Sequence, residues 1–234
     1  MDPGRRTGDP ALPDVHVGKR IIVDCDVRLQ LREQPPLFKG SEIGSTHMPP
    51  QAACPAGQPP HKSDRQITPG KHRLDMVELA IAGHAAFVAS SIELDRQGPS
   101  YSVETLAEVA RQNSGAELFF LMGSDSLADL PLWYQPARIA ELATLVVATR
   151  PDSNRPDGEV LQEVIGTTAV ERLLKHIVEI PLVQVSSSAI RARVAAGQTI
   201  RYLVTRAVEC YIETHGLYKI AEGEGRTAKG QTST

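Results

Sequence analysis

Residues 117–123 read Glu-Leu-Phe-Phe-Leu-Met-Gly, and residues 144–149 read Thr-Leu-Val-Val-Ala-Thr. Both contain a short, unbroken apolar run, LFFLM and LVVA, which is typical of strands that are buried on both faces of a sheet. Between them, Pro136 predicts the first turn of a helix, because proline is tolerated there and pre-sets the backbone angle. A strand, a helix and a second strand in this order predict a parallel unit with helices packed against the sheet.

The same alternation extends in both directions from this unit. We therefore predict a Rossmann-like, doubly wound α/β sheet, in which ligands bind at the carboxyl ends of the strands. The further elements predicted along the chain are a helix opened by Thr68 and Pro69, a strand over 86–92, a helix from Ser102, a helix around 159–176, a strand over 177–182, and helices from near Ser187 and near Thr205.

The composition is that of an ordinary globular chain of 234 residues, with 23% charged residues and a net charge of -3. A basic excess, typical of proteins that coat nucleic acid, is absent, and no apolar run approaches the ~20 residues that span a bilayer. Cys25, Cys54 and Cys210 are widely spaced, which favours free thiols in a reducing compartment. We expect a cytoplasmic protein that binds neither nucleic acid nor membrane.

The first part of the chain differs from the rest in amino-acid composition. Eleven of the 17 prolines lie within residues 1–70, and Phe38 is the only aromatic residue before Phe87. One short segment there, Arg20–Asp24, could form a strand. We predict an atypical, irregular N-terminal region over 1–54, an α/β domain over 55–218, and a flexible polar tail over 219–234.

Polar and aromatic residues follow the two buried runs. Gly123 and Asp125 end the first, where glycine lets a ligand approach the backbone and aspartate can accept hydrogen bonds from a ribose or a base. Trp133 and Tyr134 come next, with flat rings that either fill a core or stack on a ligand. Arg150 follows the second run, either as a surface charge or as a clamp for phosphate or carboxylate.

Three serines precede a predicted helix in the segment 185–191 (VSSSAIR). Ser186 and Ser187 would place hydroxyl and free N–H groups at a helix N-terminus, which is a natural phosphate site. Arg191 lies one turn along the same helix. The alternative is a plain serine cap with a solvated arginine. Residues 58–62 (QPPHK) add a rigid loop that ends in the cation Lys62.

In this order and at these spacings, the motifs resemble those of the bacterial nicotinate-nucleotide adenylyltransferases, of the HxGH nucleotidyltransferase superfamily. The resemblance covers about 70% of the chain, residues 55–218. SSSAIR is shared by the wider superfamily, whereas SYS, GSDSL and WY narrow the match to the pyridine-nucleotide branch. The segments that carry it are PAGQPPHK (55–62), HRLDMVELAI (72–81), GPSYSVETL (98–106), LMGSDSL (121–127), LWY (132–134), ATRP (148–151), VSSSAIRARV (185–194) and YIETHGLY (211–218).

The resemblance implies an activity. Enzymes of this family transfer the adenylyl group of ATP to nicotinate mononucleotide, giving nicotinate adenine dinucleotide and pyrophosphate in NAD biosynthesis, with Mg²⁺ entering bound to ATP. It also implies roles for single residues: Trp133 stacks on the pyridine ring; Tyr134 and Ser102 lie near its carboxylate; Arg150 contacts the substrate; Gly123 and Asp125 line the nucleotide site; Ser186, Ser187, Arg191 and Lys62 hold phosphates.

The HxGH motif itself is matched only by residues 16–19, HVGK. By resemblance His16, Lys19 and Arg191 form the catalytic set, with Lys19 offering a cation on a longer stem than the expected histidine. The glycine-rich first strand of the family is missing or degenerate in this comparison. Residues 1–54 then reflect either an altered reading frame or a relative that has lost catalysis and kept a nucleotide site. A preference for nicotinamide mononucleotide and a homo-oligomeric state are further open alternatives.

Overall fold

The computed structural model describes residues 20–24, 51–58, 67–149, 158–180 and 185–219. Within them we number the elements in chain order. The strands are β1 (Arg20–Asp24), β2 (Gln51–Ala53), β3 (Phe87–Ala89), β4 (Glu117–Gly123), β5 (Thr144–Thr149) and β6 (Ile177–Glu179). The helices are α1 (Gly70–Ile81), α2 (Ser102–Gln112), α3 (Ser124–Asp129), α4 (Pro136–Leu142), α5 (Gly158–Ile165), α6 (Thr167–Leu174), α7 (Ser187–Ala195) and α8 (Arg206–Thr214), and a short 3-10 helix, Leu130–Leu132, follows α3.

The strands form one parallel sheet in the order β3-β2-β1-β4-β5-β6. The order reverses between β1 and β4, so this is the doubly wound arrangement, and the predicted α/β class is confirmed. In such sheets ligands bind beyond the carboxyl ends of the strands, at the point where the order reverses. A ligand is therefore expected beside the loops that follow β1, β2 and β4.

The expectation that the first strand is missing or degenerate is corrected by β1, which lies at the centre of the sheet. All five of its residues pair with Glu117–Leu121 of β4, and its last three also pair with β2. Ile21, Ile22 and Val23 are at most 1% exposed. Three consecutive β-branched residues suit a strand that is covered on both faces, which explains why this short segment can take the central place.

Alternate residues of the central strands enter two separate apolar clusters. Phe120 and Met122 of β4 belong to the cluster that also contains buried side chains of α2, α3, α4, α5 and α6. Phe119 and Leu121 point to the opposite face, into a smaller cluster with Ile22 and two residues of β5. This burial on both faces fixes the carboxyl edge of the sheet, and with it the loops that begin there.

The predicted helix around 159–176 is two helices in the structure, α5 and α6. They are separated by Gly166, whose φ of 84° lies in the left-handed region that glycine adopts without strain. Contacts divide the chain into two compact units, Met1–Val183 and Gln184–Thr234. The proposed division at residues 54 and 218 stays a prediction. Among the described residues, no helix is both long and apolar enough to span a membrane.

Candidate active site

Gly123 and Asp125 lie at the carboxyl end of β4, beside the point where the strand order reverses. Gly123 has ordinary extended backbone (φ -80°), and a Cβ placed on it would meet no atom of the described residues within 4 Å. Asp125 is exposed in the first turn of α3. No described residue therefore blocks a ligand from approaching Gly123, and its role in a nucleotide site stays a prediction.

The loop that follows α3 holds the predicted aromatic pair. The indole of Trp133 is partly buried against the core, with its ring centroid 6.2 Å from that of Phe120 in an edge-on arrangement. Its neighbours Leu132 and Tyr134 are 77% and 50% exposed. Gln135 takes a left-handed backbone (φ 53°) before α4 begins, and its Nε2 donates to the Tyr134 hydroxyl at 3.1 Å. Tyr134 is thus the more exposed of the two rings.

Two of the sequence motifs meet in space. Ser102 is the first residue of α2, and the preceding Tyr101 packs on Tyr134 with a ring-centroid distance of 4.7 Å. This contact joins the Ser100–Ser102 segment to the Trp133–Tyr134 loop. Ser102, Trp133 and Tyr134, to which the resemblance gives recognition of the pyridine ring and its carboxylate, therefore belong to one local cluster. We call it the acceptor cluster (Ser100–Ser102, Trp133 and Tyr134), after the mononucleotide that accepts the adenylyl group in that family.

The loop after β2 is fastened to the start of this cluster. The backbone N–H of Gln58 donates to Ser100 Oγ at 3.2 Å, and the N–H of Ser100 donates to the Gln58 carbonyl at 2.9 Å. Arg73 of α1 donates to the carbonyl oxygens of Ala56 and Gly57. A Cβ at Gly57 would lie 2.3 Å from the Glu93 carbonyl oxygen and 2.5 Å from Ser100 Oγ. Only glycine lets these segments approach so closely.

Glu93 and Thr105 are buried polar residues that no sequence motif marks as part of a site. They are 3% and 0% exposed, and Thr105 Oγ1 donates to Glu93 Oε1 at 2.8 Å. The one available signal is that Glu93 stands between Ile92 and Leu94 in an otherwise polar loop. Glutamate is almost never fully buried unless it is paired, so the burial of Glu93 becomes visible only in the structure, which shows its partners.

α2 ends in an ion pair on its surface. The hydrogen bond from Arg111 lowers the pKa of the Glu108 carboxyl to about 2. A carboxyl with a lowered pKa stabilises the folded chain fully above its unfolded value near 4.5, and loses this contribution as the pH falls toward 2. Because the Arg111 side chain is exposed, solvent screens this pair and its contribution to stability is small. Near neutral pH the pair is ionised and supports the helix that presents Ser102.

The serine segment belongs to the second compact unit. Ser186 Oγ accepts a hydrogen bond from the Ala189 N–H at 3.1 Å, so this serine caps α7. Arg191 is exposed, and its Nη2 donates to Ser188 Oγ at 3.4 Å. The serine cap of the alternative interpretation is therefore real. It is compatible with a phosphate site, because the remaining N–H groups of the first turn still point away from the helix.

Four of the predicted site residues lie outside the described residues. These residues are His16, Lys19, Lys62 and Arg150. The HVGK match to the HxGH motif and the cation at the end of the 58–62 loop therefore stay predictions.

Comparison with known proteins identifies the family. The sequence model of the cytidylyltransferase-like family matches residues 49–193, more than half of the chain. A protein of Thermomicrobium roseum named "probable nicotinate-nucleotide adenylyltransferase" is 48% identical over 179 residues, which are 76% of this chain and 82% of that protein. A protein of the same name from Geobacillus thermodenitrificans is 40% identical over 160 residues, 68% of each. The chain belongs to the nicotinate-nucleotide adenylyltransferase family.

Solved structures share the fold of this family member. Nicotinic acid mononucleotide adenylyltransferase of Plasmodium falciparum, complexed with NaAD, superposes with a TM-score of 0.58 at 14% identity, covering 86% of this chain and 97% of that one. The same enzyme complexed with APC gives a TM-score of 0.56 at 13% identity. At these identities the likeness concerns the fold alone. The resemblance to the adenylyltransferases and the assignment to the nucleotidyltransferases are both confirmed by the family match.

Proposed function

We propose that this nicotinate-nucleotide adenylyltransferase family member joins ATP to nicotinate mononucleotide, giving nicotinate adenine dinucleotide and pyrophosphate. A phosphate oxygen of the mononucleotide attacks the α-phosphorus of ATP. The bond from that phosphorus to the bridging oxygen breaks, and pyrophosphate leaves with the electron pair. No covalent bond to the protein is required, so the protein contributes alignment and charge stabilisation. The observation that carries the proposal is the acceptor cluster, which is joined to the loop after the carboxyl end of β2. Relatives named probable nicotinate-nucleotide adenylyltransferase support it.

The proposed roles divide between the two substrates. For ATP, Gly123 and Asp125 line the nucleotide, while Ser186, Ser187 and Arg191 hold phosphate oxygens through the N-terminus of α7 and a guanidinium. For the acceptor, Trp133 stacks on the pyridine ring, and Ser102 and Tyr134 offer hydroxyl groups to its carboxylate. The remaining proposed contacts are Lys62 to phosphate, Arg150 to substrate, and His16 and Lys19 to the reacting phosphates.

Magnesium enters this proposal with ATP. Among the described residues, no three His, Cys, Asp or Glu side chains come close enough together to form a protein metal site. Magnesium that binds with a nucleotide usually takes most of its ligands from phosphate oxygens and water. Its chemistry there is to neutralise charge on the phosphates. We place the reaction in the cytoplasm.

Pyrophosphate release tests the proposal. The purified chain is incubated with ATP and magnesium at neutral pH, with nicotinate or nicotinamide mononucleotide in parallel. We expect kcat/KM to be at least about tenfold higher with the nicotinate form, because a site that binds a carboxylate leaves groups unpaired when an amide replaces it. A reaction without acceptor measures background ATP hydrolysis. A higher kcat/KM with the nicotinamide form would overturn the assignment of the acceptor, and no release with either from folded protein would overturn the reaction.

Trp133 provides a direct binding test because it is the only tryptophan of the chain. We expect nicotinate mononucleotide to change its emission in a saturable way, since stacking against a pyridine ring alters the surroundings of a partly buried indole. ATP alone should leave the emission almost unchanged. The titration is repeated by calorimetry; binding without any change in emission would place the pyridine ring away from Trp133.

A further inference from the structure

Glu93 is a buried carboxylate in the loop between β3 and α2. It is 3% exposed, and a carboxylate is expensive to bury unless it accepts hydrogen bonds. Two donors from different parts of the chain meet that need: Thr105 Oγ1 of α2 donates to Oε1 at 2.8 Å, and the backbone N–H of Gly57 donates to Oε2 at 3.2 Å. Glu93 thus ties the loop after β2 to the first turn of α2.

A cation completes this set of contacts. The Arg96 guanidinium donates to Thr105 Oγ1, so a chain of hydrogen bonds runs from the guanidinium through the hydroxyl to the carboxylate. The same guanidinium lies 3.3 Å from Glu104. The carboxylate and the hydroxyl both find partners here and are held in one arrangement by them, whereas Arg96 Nε is buried with no hydrogen-bond partner among the described residues.

Both ends of this network reach the acceptor cluster. Gly57 precedes Gln58. The Gln58 N–H donates to Ser100 Oγ, and the Gln58 carbonyl accepts from the Ser100 N–H. Thr105 lies one turn into α2, the helix that begins at Ser102. Loss of the Glu93 contacts would therefore release the Ser100–Ser102 segment from two directions, although Glu93 itself lies inside the protein.

We infer that Glu93 is a positioning residue for the acceptor subsite, acting through Gly57 and Thr105. This inference rests on the proposed function, because it concerns the same acceptor. It separates the two substrates: the affinity for nicotinate mononucleotide depends on Glu93, whereas the affinity for ATP, which we assign to Gly123 and α7, does not. Burial keeps Glu93 out of contact with substrate, so the residue is not catalytic.

The test compares three variants in the full chain. Glu93→Gln keeps the shape and removes the charge, and Thr105→Val removes the hydroxyl that connects Glu93 to Arg96. Asp95→Asn is the matched control: it makes the same carboxylate-to-amide change in the same loop, at an exposed residue that accepts a hydrogen bond from Ser91. For each variant, calorimetry gives Kd for nicotinate mononucleotide and for ATP, steady-state kinetics gives both KM values, and a thermal melt checks folding.

We expect Glu93→Gln and Thr105→Val each to raise Kd and KM for nicotinate mononucleotide at least tenfold. The values for ATP should stay within twofold, and Asp95→Asn should match the wild type. Equal weakening of both substrates, or unchanged acceptor binding in either folded variant, would overturn the positioning role. If Glu93→Gln does not fold, Thr105→Val decides alone. The proposed function alone is overturned if wild-type protein binds nicotinate mononucleotide but releases no pyrophosphate. If wild-type protein binds neither substrate, both the proposed function and the positioning role of Glu93 are overturned.

Discussion

Arg191→Ala should lower kcat/KM for ATP by about 10²-fold or more, with the melting temperature changed by no more than about 1 °C. The reason is that Arg191 contributes little to folding: it is exposed on α7, and its described hydrogen bond, to Ser188, is long at 3.4 Å. In the proposed reaction the same guanidinium meets negative charge that grows on the phosphates, where one preorganised donor is worth about 3 kcal/mol. Steady-state kinetics with ATP as the varied substrate measures the effect.

Arg193 is the matched control on the same helix. Its Nε donates to the Thr199 carbonyl at 2.9 Å, and it is less exposed than Arg191. Arg193→Ala should therefore destabilise the fold by about 1–3 kcal/mol, since hydrogen bonds to charged groups are worth about that much, and should leave kcat/KM within threefold. The phosphate site is elsewhere if Arg191→Ala keeps full activity. The same conclusion follows if Arg193→Ala lowers kcat/KM and Arg191→Ala lowers only the stability of the fold.

The elements that the sequence predicted best are those whose local pattern is decisive. β4 and β5 contain the unbroken apolar runs LFFLM and LVVA, and both strands are recognisable because these residues are buried on both faces of the sheet. Pro136 begins α4 as predicted. α7 likewise begins at Ser187, because the capping chemistry of Ser186 depends on a few neighbouring residues only.

The central place of β1 could not be predicted from its own residues. Arg20–Asp24 has the composition of a strand, but its partner in the sheet, Glu117–Leu121, lies far along the chain. Pairing over such a distance depends on the packing of the whole sheet, whereas a pattern shows only whether a segment suits a strand. β2 was missed for a related reason, because Gln51–Ala53 is too short to show a period and contains a polar residue.

The site shows the same division between local and long-range information. Gly123, Trp133 and Ser102 are candidates because each stands in a recognisable motif near the end of a strand or the start of a helix. That the rings of Tyr101 and Tyr134 touch depends on packing between α2 and the loop after α3. Glu93 was overlooked because its role rests on contacts with Gly57 and Thr105, 36 and 12 residues away.

Gly57→Ala should destabilise the fold by about 2 kcal/mol or more and lower pyrophosphate release with nicotinate mononucleotide at least tenfold. The added methyl would stand 2.3 Å from the Glu93 carbonyl oxygen, which is backbone and cannot move away by a side-chain rotation. The loop must shift instead, and the hydrogen bonds that Gly57 and Gln58 make with Glu93 and Ser100 lengthen. Denaturant unfolding gives the loss of stability, and kinetics with the acceptor varied gives the loss of function. A Gly57→Ala variant as stable as wild type would show that the loop after β2 can shift without lengthening the hydrogen bonds around Glu93.

Gly123→Ala separates the role of a ligand from that of packing. Its backbone angle is ordinary for alanine and a Cβ there would meet no atom of the described residues within 4 Å, so the free energy of unfolding should stay the same or rise by up to about 1 kcal/mol. If ATP approaches this backbone as we propose, the same methyl group occupies its path, and KM for ATP should rise at least about tenfold. A stable Gly123→Ala variant with unchanged KM would show that the nucleotide does not lie against β4.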